Sequence, residues 1–160
     1  MEKRQQQLSQ VMQRVDGVAP GNGLPKHVKM TISPFVMLRG ASSVFYDDLA
    51  SGTLQIPKAL TELPLTTLIG DCHISNFGLF SEEGSHGERI VFAPNDFDDA
   101  CIGHAIWDLL RYSTSLMLCA DHCRGVKDGD YPTDDPITKK VVSSETVSLA
   151  VKQFFQTYHR

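Results

Sequence analysis

The sequence predicts an α+β domain, mostly helical, with a short antiparallel β-hairpin. Three observations predict it. Apolar residues recur at helical spacing in residues 3–15, 104–120 and 139–158. Short apolar runs at 65–69, 77–80 and 90–93 have strand length, and the last two flank a turn-forming stretch. Finally, 160 residues with 41% apolar and 21% charged side chains suit one domain with a real core, and exclude disordered and fibrous classes.

Taken in order, Leu8, Val11, Met12 and Val15 make residues 3–15 an amphipathic helix. Gly17, Pro20, Gly21, Gly23 and Pro25 end it. The basic Lys26, His27 and Lys29 follow, then Ser33-Pro34-Phe35-Val36-Met37-Leu38-Arg39-Gly40. Helix resumes near Ser43, runs through Val44, Phe45 and Leu49, and breaks at Gly52. Residues 65–69 read as a buried strand stopped by Gly70-Asp71, and 77–80 with 90–93 as a hairpin whose exposed tip is Ser81-Glu82-Glu83-Gly84-Ser85-His86-Gly87-Glu88. After the acidic loop 95–99 comes a strong helix, 104–120, with Ile106, Leu109, Leu110, Leu116 and Met117 as its inner stripe. Residues 121–136, rich in Gly, Pro and Asp, read as loop. The last helix sets Val147, Val151, Phe154, Phe155 and Tyr158 on one face. The whole forms a single, partial domain: helix and Gly/Pro loop in 1–25, a motif-bearing core in 29–118 and a C-terminal helix in 137–160. The wide apolar face of the last helix packs either on residues 107–120 or on a partner surface, through self-association or a missing second half.

A net charge of −4 argues against broad nucleic-acid binding, which relies on clustered Lys and Arg. The N-terminus Met1-Glu2-Lys3-Arg4-Gln5-Gln6-Gln7 lacks the apolar stretch of a secretory signal, and no run approaches the roughly 18 apolar residues of a membrane span. A cytoplasmic protein with no membrane contact is expected, so Cys72, Cys101, Cys119 and Cys123 read as reduced thiols. Cys119, His122 and Cys123 invite a zinc reading, but their spacing departs from the usual Cys-x2-Cys knuckle and buried reduced cysteine is preferred.

Chemistry concentrates in Gly70-Asp71-Cys72-His73-Ile74-Ser75-Asn76-Phe77, then Asn95-Asp96-Phe97-Asp98-Asp99, then Trp107-Asp108-Leu109-Leu110-Arg111. A carboxylate and an amide at a strand end, with more carboxylates returning on a hairpin, suit a divalent cation. Magnesium takes hard oxygen ligands and keeps positions for water and phosphate. Asp71 then remains to accept a hydroxyl proton, and a cation would relieve the repulsion among Asp96, Asp98 and Asp99. Each piece also has a plainer reading: Gly-Asp and Asn-Asp as turns, Asp108 with Arg111 as a helix-surface ion pair worth roughly a few tenths of a kcal/mol, and His73 as a structural histidine. Their order, with a strand before, a hairpin between and a helix after, favours a site.

The order Gly70-Asp71-x-His73-x-x-Asn76, Asp96-Phe97 and Trp107-Asp108-Leu109 resembles the catalytic half of the protein-kinase-like superfamily, in particular its aminoglycoside and choline phosphotransferase branch. With Ser33-Pro34-Phe35 and Leu38-Arg39-Gly40, it is most similar to the bacterial DUF2252 family over residues 29–118. The resemblance implies a kinase-like C-lobe-type half, with the hairpin beside a catalytic-type loop. It implies Mg-ATP as cofactor and a small-molecule or protein hydroxyl as acceptor. Asp71 becomes the base that orients or deprotonates the acceptor, and His73 a brace of its loop. Asn76 and Asp96 become magnesium ligands and Asp98 a second metal carboxylate. Asp108, with Arg111 beside it, holds the loop from the following helix. Arg39 becomes a clamp for phosphate or an acidic substrate, with a buried pair to an aspartate as the alternative.

The superfamily also uses a Gly-rich phosphate cover and a strand lysine. Neither stands out: Pro20 and Pro25 interrupt the early glycines, and Lys58 follows Pro57 directly. In longer chains of the family these parts lie beyond the acidic motif, so a truncated or split polypeptide, incomplete or inactive by itself, is expected. Two other classes are carried. One is a non-catalytic interaction domain using the last helix. The other is a metal-dependent phosphohydrolase, for which Asp71-Cys72-His73 supplies an Asp-x-His but His86 and His104 are scattered.

Overall fold

The computed structural model describes residues 2–135 and 137–158. Met1, Pro136, His159 and Arg160, which the segments 1–25, 121–136 and 137–160 include, lie outside the described residues. The chain divides into two compact units. One comprises the chain up to Pro57 with Ala120–Ser144, the other Lys58–Cys119 with the chain from Glu145 on. The stretch 29–118 is thus shared between them: Ser33 to Gly40 falls in the first unit, and Gly70 to Arg111 in the second.

The first unit is helical. Helix α1 (Glu2–Asp16) is followed by α2 (Pro25–Met30), α3 (Pro34–Gly40) and α4 (Ser42–Ala50). Pro25, read as a breaker, instead starts α2, and Pro34 starts α3, because proline's fixed φ and missing N–H suit the first helical turn. Val11 and Met12 of α1, Met30 of α2, and Ala41 and Val44 of the α4 end form the core, with Leu8 and Met37 packed against it. Charged residues fasten the rim: Arg4 grips Asp48, Arg14 reaches Asp47 at 3.0 Å, and Lys26 and His27 both reach Asp16 at 2.8 and 2.9 Å.

Ser33 caps α3 by accepting the Val36 N–H at 3.3 Å, and its hydroxyl meets His122 Nδ1 at 2.8 Å. His122 lies between Phe35 and Tyr131, with ring centroids 5.8 and 5.6 Å away. Its helix, α6 (Ala105–Asp128), runs eight residues past the expected end at Ala120. The sequence reading of residues 121–136 as loop is corrected there. Gly125 does not break the helix because it makes room for the Tyr131 ring, whose Cδ2 lies 2.4 Å from where a Cβ would sit.

The second unit contains α5 (Lys58–Thr61) and two separate two-stranded antiparallel sheets. Strand β1 (Thr66–Leu68) pairs with β4 (Cys101–Gly103). Strand β2 (Phe77–Ser81) pairs with β3 (Ile90–Pro94) as the expected hairpin, in register from Phe77 opposite Pro94 to Ser81 opposite Ile90. The last helix, α7 (Ser144–Tyr158), starts five residues later than its apolar spacing suggested. A file of rings ties hairpin to helices: Phe92 on Phe77 at 5.5 Å, Phe77 on Tyr112 at 4.9 Å, and Tyr112 on Phe154 at 5.0 Å. Phe154 thus packs α7 back on α6, the internal one of the two expected arrangements, while Phe155 and Tyr158 remain exposed.

The mixture of helices and small antiparallel sheets makes the chain α+β. No helix among the described residues is long and apolar enough to cross a membrane. The expected inner stripe of α6 needs one correction, since Met117 is 51% exposed whereas Arg111 and Ser115 are fully buried. A polar face of α6 is turned inward because another segment needs its hydrogen bonds.

Candidate functional site

That segment is residues 69–76, which leave β1 and turn through a single 3₁₀ turn (Ile74–Asn76) into β2. Helix α6 holds it at three levels. Asp108 Oδ2 accepts the Ile69 N–H at 2.7 Å and Oδ1 the Gly70 N–H at 3.2 Å. Arg111, 1% exposed, donates Nε–H to Asp71 Oδ1 at 3.0 Å and closes the pair with a second bond through Nη2. Ser115 Oγ accepts the Ile74 N–H at 2.9 Å while donating to the Tyr112 carbonyl at 2.6 Å. Asp108, Arg111 and Ser115 stand at i, i+3 and i+7, one face of an α-helix. Asp108 and Arg111 are therefore not the exposed helix-surface ion pair of the plainer reading.

Within the loop, His73 Nε2 lies 3.3 Å from Asp71 Oδ2, and Asn76 donates Nδ2–H to the Asp71 carbonyl at 3.0 Å. His73 is buried, and its Nδ1 has no hydrogen-bond partner among the described residues. Donation from Nε2 to the carboxylate makes Nδ1 the acceptor nitrogen. The acidic loop lies alongside. Asn95 donates its N–H to the Asn76 carbonyl at 3.0 Å, and a Cβ on Gly70 would sit 1.9 Å from the Asp99 carbonyl oxygen. Asp96, Asp98 and Asp99 are exposed on that loop, where Asp96 Oδ1 accepts the Asp98 N–H at 3.3 Å. The structure therefore brings Asp71, His73, Asn76, Asp108 and Arg111 together and sets the acidic loop beside them. Arg39 belongs to the other unit, exposed on α3 with its guanidinium 5.8 Å from the Phe35 ring centre, and not in the buried aspartate pair given as its alternative.

Burial gives the two aspartates opposite characters. It would raise Asp71, but the His73 hydrogen bond and the Arg111 guanidinium outweigh it and hold the carboxyl below the usual range. Burial raises Asp108, and its two backbone N–H partners with Arg111 recover only part of the shift. Asp71 is thus a firmly ionised, weakly basic carboxylate.

Asn76 Oδ1, left over once Nδ2 is used, and the Asp96 and Asp98 carboxylates are the hard oxygens on these two loops, the donor type that a divalent cation takes. Among the described residues no group of three or more His, Cys, Asp or Glu side chains is arranged to hold a metal ion.

Cys72 sits between the residues that carry this chemistry, and burial, aided by Asp108, pushes its thiol up to about 12. Its thiolate fraction at pH 8 is then roughly a thousandfold below that of an ordinary cysteine. A disulfide reagent should label Cys101, Cys119 and Cys123, which are half-buried, well before Cys72. Equal rates for all four, read by peptide mapping, would mean that the loop opens readily.

Ser115 was missed in the sequence because serine in a helix reads as neutral filler. The available signal was its position four residues after Arg111, which puts the two on one line of the helix. A search of curated proteins finds no match. A search of solved structures finds none either. The model of the family described as "Uncharacterized protein conserved in bacteria (DUF2252)" matches residues 23–131, more than half of the chain, and the protein belongs to that family.

Proposed function

We propose that the chain is a kinase-like phosphotransferase module, acting from Mg-ATP on the hydroxyl of a small molecule or protein. The observation that carries this reading is the bracing of the Asp71 loop from α6 at three levels, with the acidic loop packed against Gly70. Phosphoryl transfer passes through a loose transition state and asks the protein mainly to position groups and stabilise charge. A carboxylate held ionised by Arg111 is a poor base but a good fixed acceptor. In this reading Asp71 Oδ2 orients the acceptor hydroxyl, and His73 and Arg111 fix the carboxylate. Asn76, Asp96 and Asp98 hold magnesium, which neutralises phosphate charge. Asp108 keeps the loop backbone in place.

Mg-ATP should raise the melting temperature of the chain. At one hundred times Kd a ligand of the folded state adds about 2.7 kcal/mol, or about 5–10 °C for a domain of this size. Asp96→Asn should abolish the rise, while Asp71→Asn should keep it and lose turnover. No shift with any nucleotide at millimolar magnesium sinks the reading. It would leave the second one, a non-catalytic interaction domain, which the engagement of both Asp71 oxygens by Arg111 and His73 favours.

A further inference from the structure

The second unit contains a pocket of about 460 Å³ that the phosphotransferase reading does not use. Phe77 and Phe92 of the hairpin, Leu109 and Tyr112 of α6, and Phe154 of α7 form its walls. Asp71 and Asn76 do not line it. Its size falls within the roughly 300–1,000 Å³ of small-molecule sites. An apolar cavity of about 150 Å³ already stays dry and takes up benzene. This pocket is open to solvent on one side, so an apolar occupant would remove water from its apolar lining.

The lining also fixes the charge of the occupant. Among the described residues no Lys, Arg or His side chain borders the pocket, and the one carboxylate is that of Asp108, whose oxygens accept the Ile69 and Gly70 N–H groups. The Cys72 thiol stays protonated. An anion would be desolvated beside a carboxylate, and a cation would find that carboxylate already engaged. Thr66 and Thr67 supply the remaining polar edge. The walls are ring faces and edges already disposed in stacked and tilted pairs, which suits an occupant with rings of its own. We propose that this pocket is a binding site for a small uncharged aromatic molecule. Three of its residues, Ile69, Cys72 and Asp108, belong to or support the Asp71 loop, so the bound molecule touches the back of that loop.

The inference is independent of phosphoryl transfer: its probe carries no phosphate and its assay contains no magnesium. The neutral fluorophore N-phenyl-1-naphthylamine, titrated into the full chain, should bind saturably at one site. Its sulfonated relative 8-anilinonaphthalene-1-sulfonate should bind about tenfold more weakly or worse, a difference of about 1.4 kcal/mol. Indole should displace the neutral probe at lower concentration than phenyltrimethylammonium does. Ala105→Phe, at the start of α6, fills the pocket and should raise the probe's Kd about tenfold. Thr67→Phe fills it from β1 and serves where Ala105→Phe disturbs the helix, as circular dichroism will report. Absence of saturable binding, equal affinity for the sulfonate, preferential displacement by the ammonium ion, or unchanged affinity in folded filled variants would each overturn the proposal.

Discussion

Replacing Arg111 with methionine should lower stability by about 3 kcal/mol, because it leaves the Asp71 carboxylate partly buried without its counter-charge. Breaking a buried pair from one side costs roughly 3–5 kcal/mol, and Asp71 falls at the lower end because its side chain is 20% exposed. Asp71→Asn should cost a comparable amount by removing the carboxylate that faces the buried Arg111 guanidinium. The double variant should be far less unstable than the sum, since it buries neither charge alone. Urea unfolding of the four proteins measures this coupling. Additive single effects would mean that the pair contributes little to holding the loop.

The pH dependence of the same variants has a definite sign. Asp71 is lowered in the folded state, so its contribution is complete above the unfolded value near 3.9 and is lost as the pH falls through the folded value. Asp108 is raised, so its ionisation costs stability once the pH climbs from the unfolded value through the folded one. Acid unfolding of the native protein therefore mixes two opposing trends. Arg111 lowers both carboxylates, and its removal weakens both in the same sense. The stability gap between native protein and Arg111→Met should be widest near neutrality and should close as the pH drops below about 4.

The hairpin, the acidic loop and the starts of α1, α4 and α6 were legible because they rest on local chemistry: strand-length apolar runs, turn residues and helical spacing. Pro25 and Pro34 were harder, since proline both stops one helix and starts the next. Which role applies depends on the backbone before it. Gly125 could not be placed from sequence because its helical tolerance comes from Tyr131 folding back over it. The site divides in the same way. Asp71, His73 and Asn76 share one short segment, and Asp108 and Arg111 one helix turn, so their order was visible. The partner of Arg111 was not, because the i, i+3 spacing offers Asp108 while the fold delivers Asp71 from 40 residues away. Sequence spacing ranks neighbours along a helix and is silent about the segment packed across it.

Gly70→Ala should be the most damaging small substitution in the second unit, costing about 4 kcal/mol. Two effects combine. The φ of +87° lies in the left-handed region, where a Cβ costs roughly 1–2 kcal/mol. The same Cβ would overlap the Asp99 backbone, with its carbonyl oxygen at 1.9 Å and its carbonyl carbon at 2.6 Å, and a backbone carbonyl cannot rotate away as a side chain does. Either the acidic loop moves off or the Asp71 loop leaves the Asp108 carboxylate, and the overpacking adds roughly 1–3 kcal/mol. Gly84→Ala is the control: it sits at the hairpin tip with φ +80° and nothing within 4 Å, so it carries the backbone strain without the collision. The difference between the two, measured by urea unfolding, isolates the contact between the loops. A Gly70→Ala protein no less stable than Gly84→Ala would mean that the acidic loop is not seated on Gly70. A destabilised protein that also loses its response to Mg-ATP, with Gly84→Ala retaining it, would tie that seating to the proposed magnesium ligands.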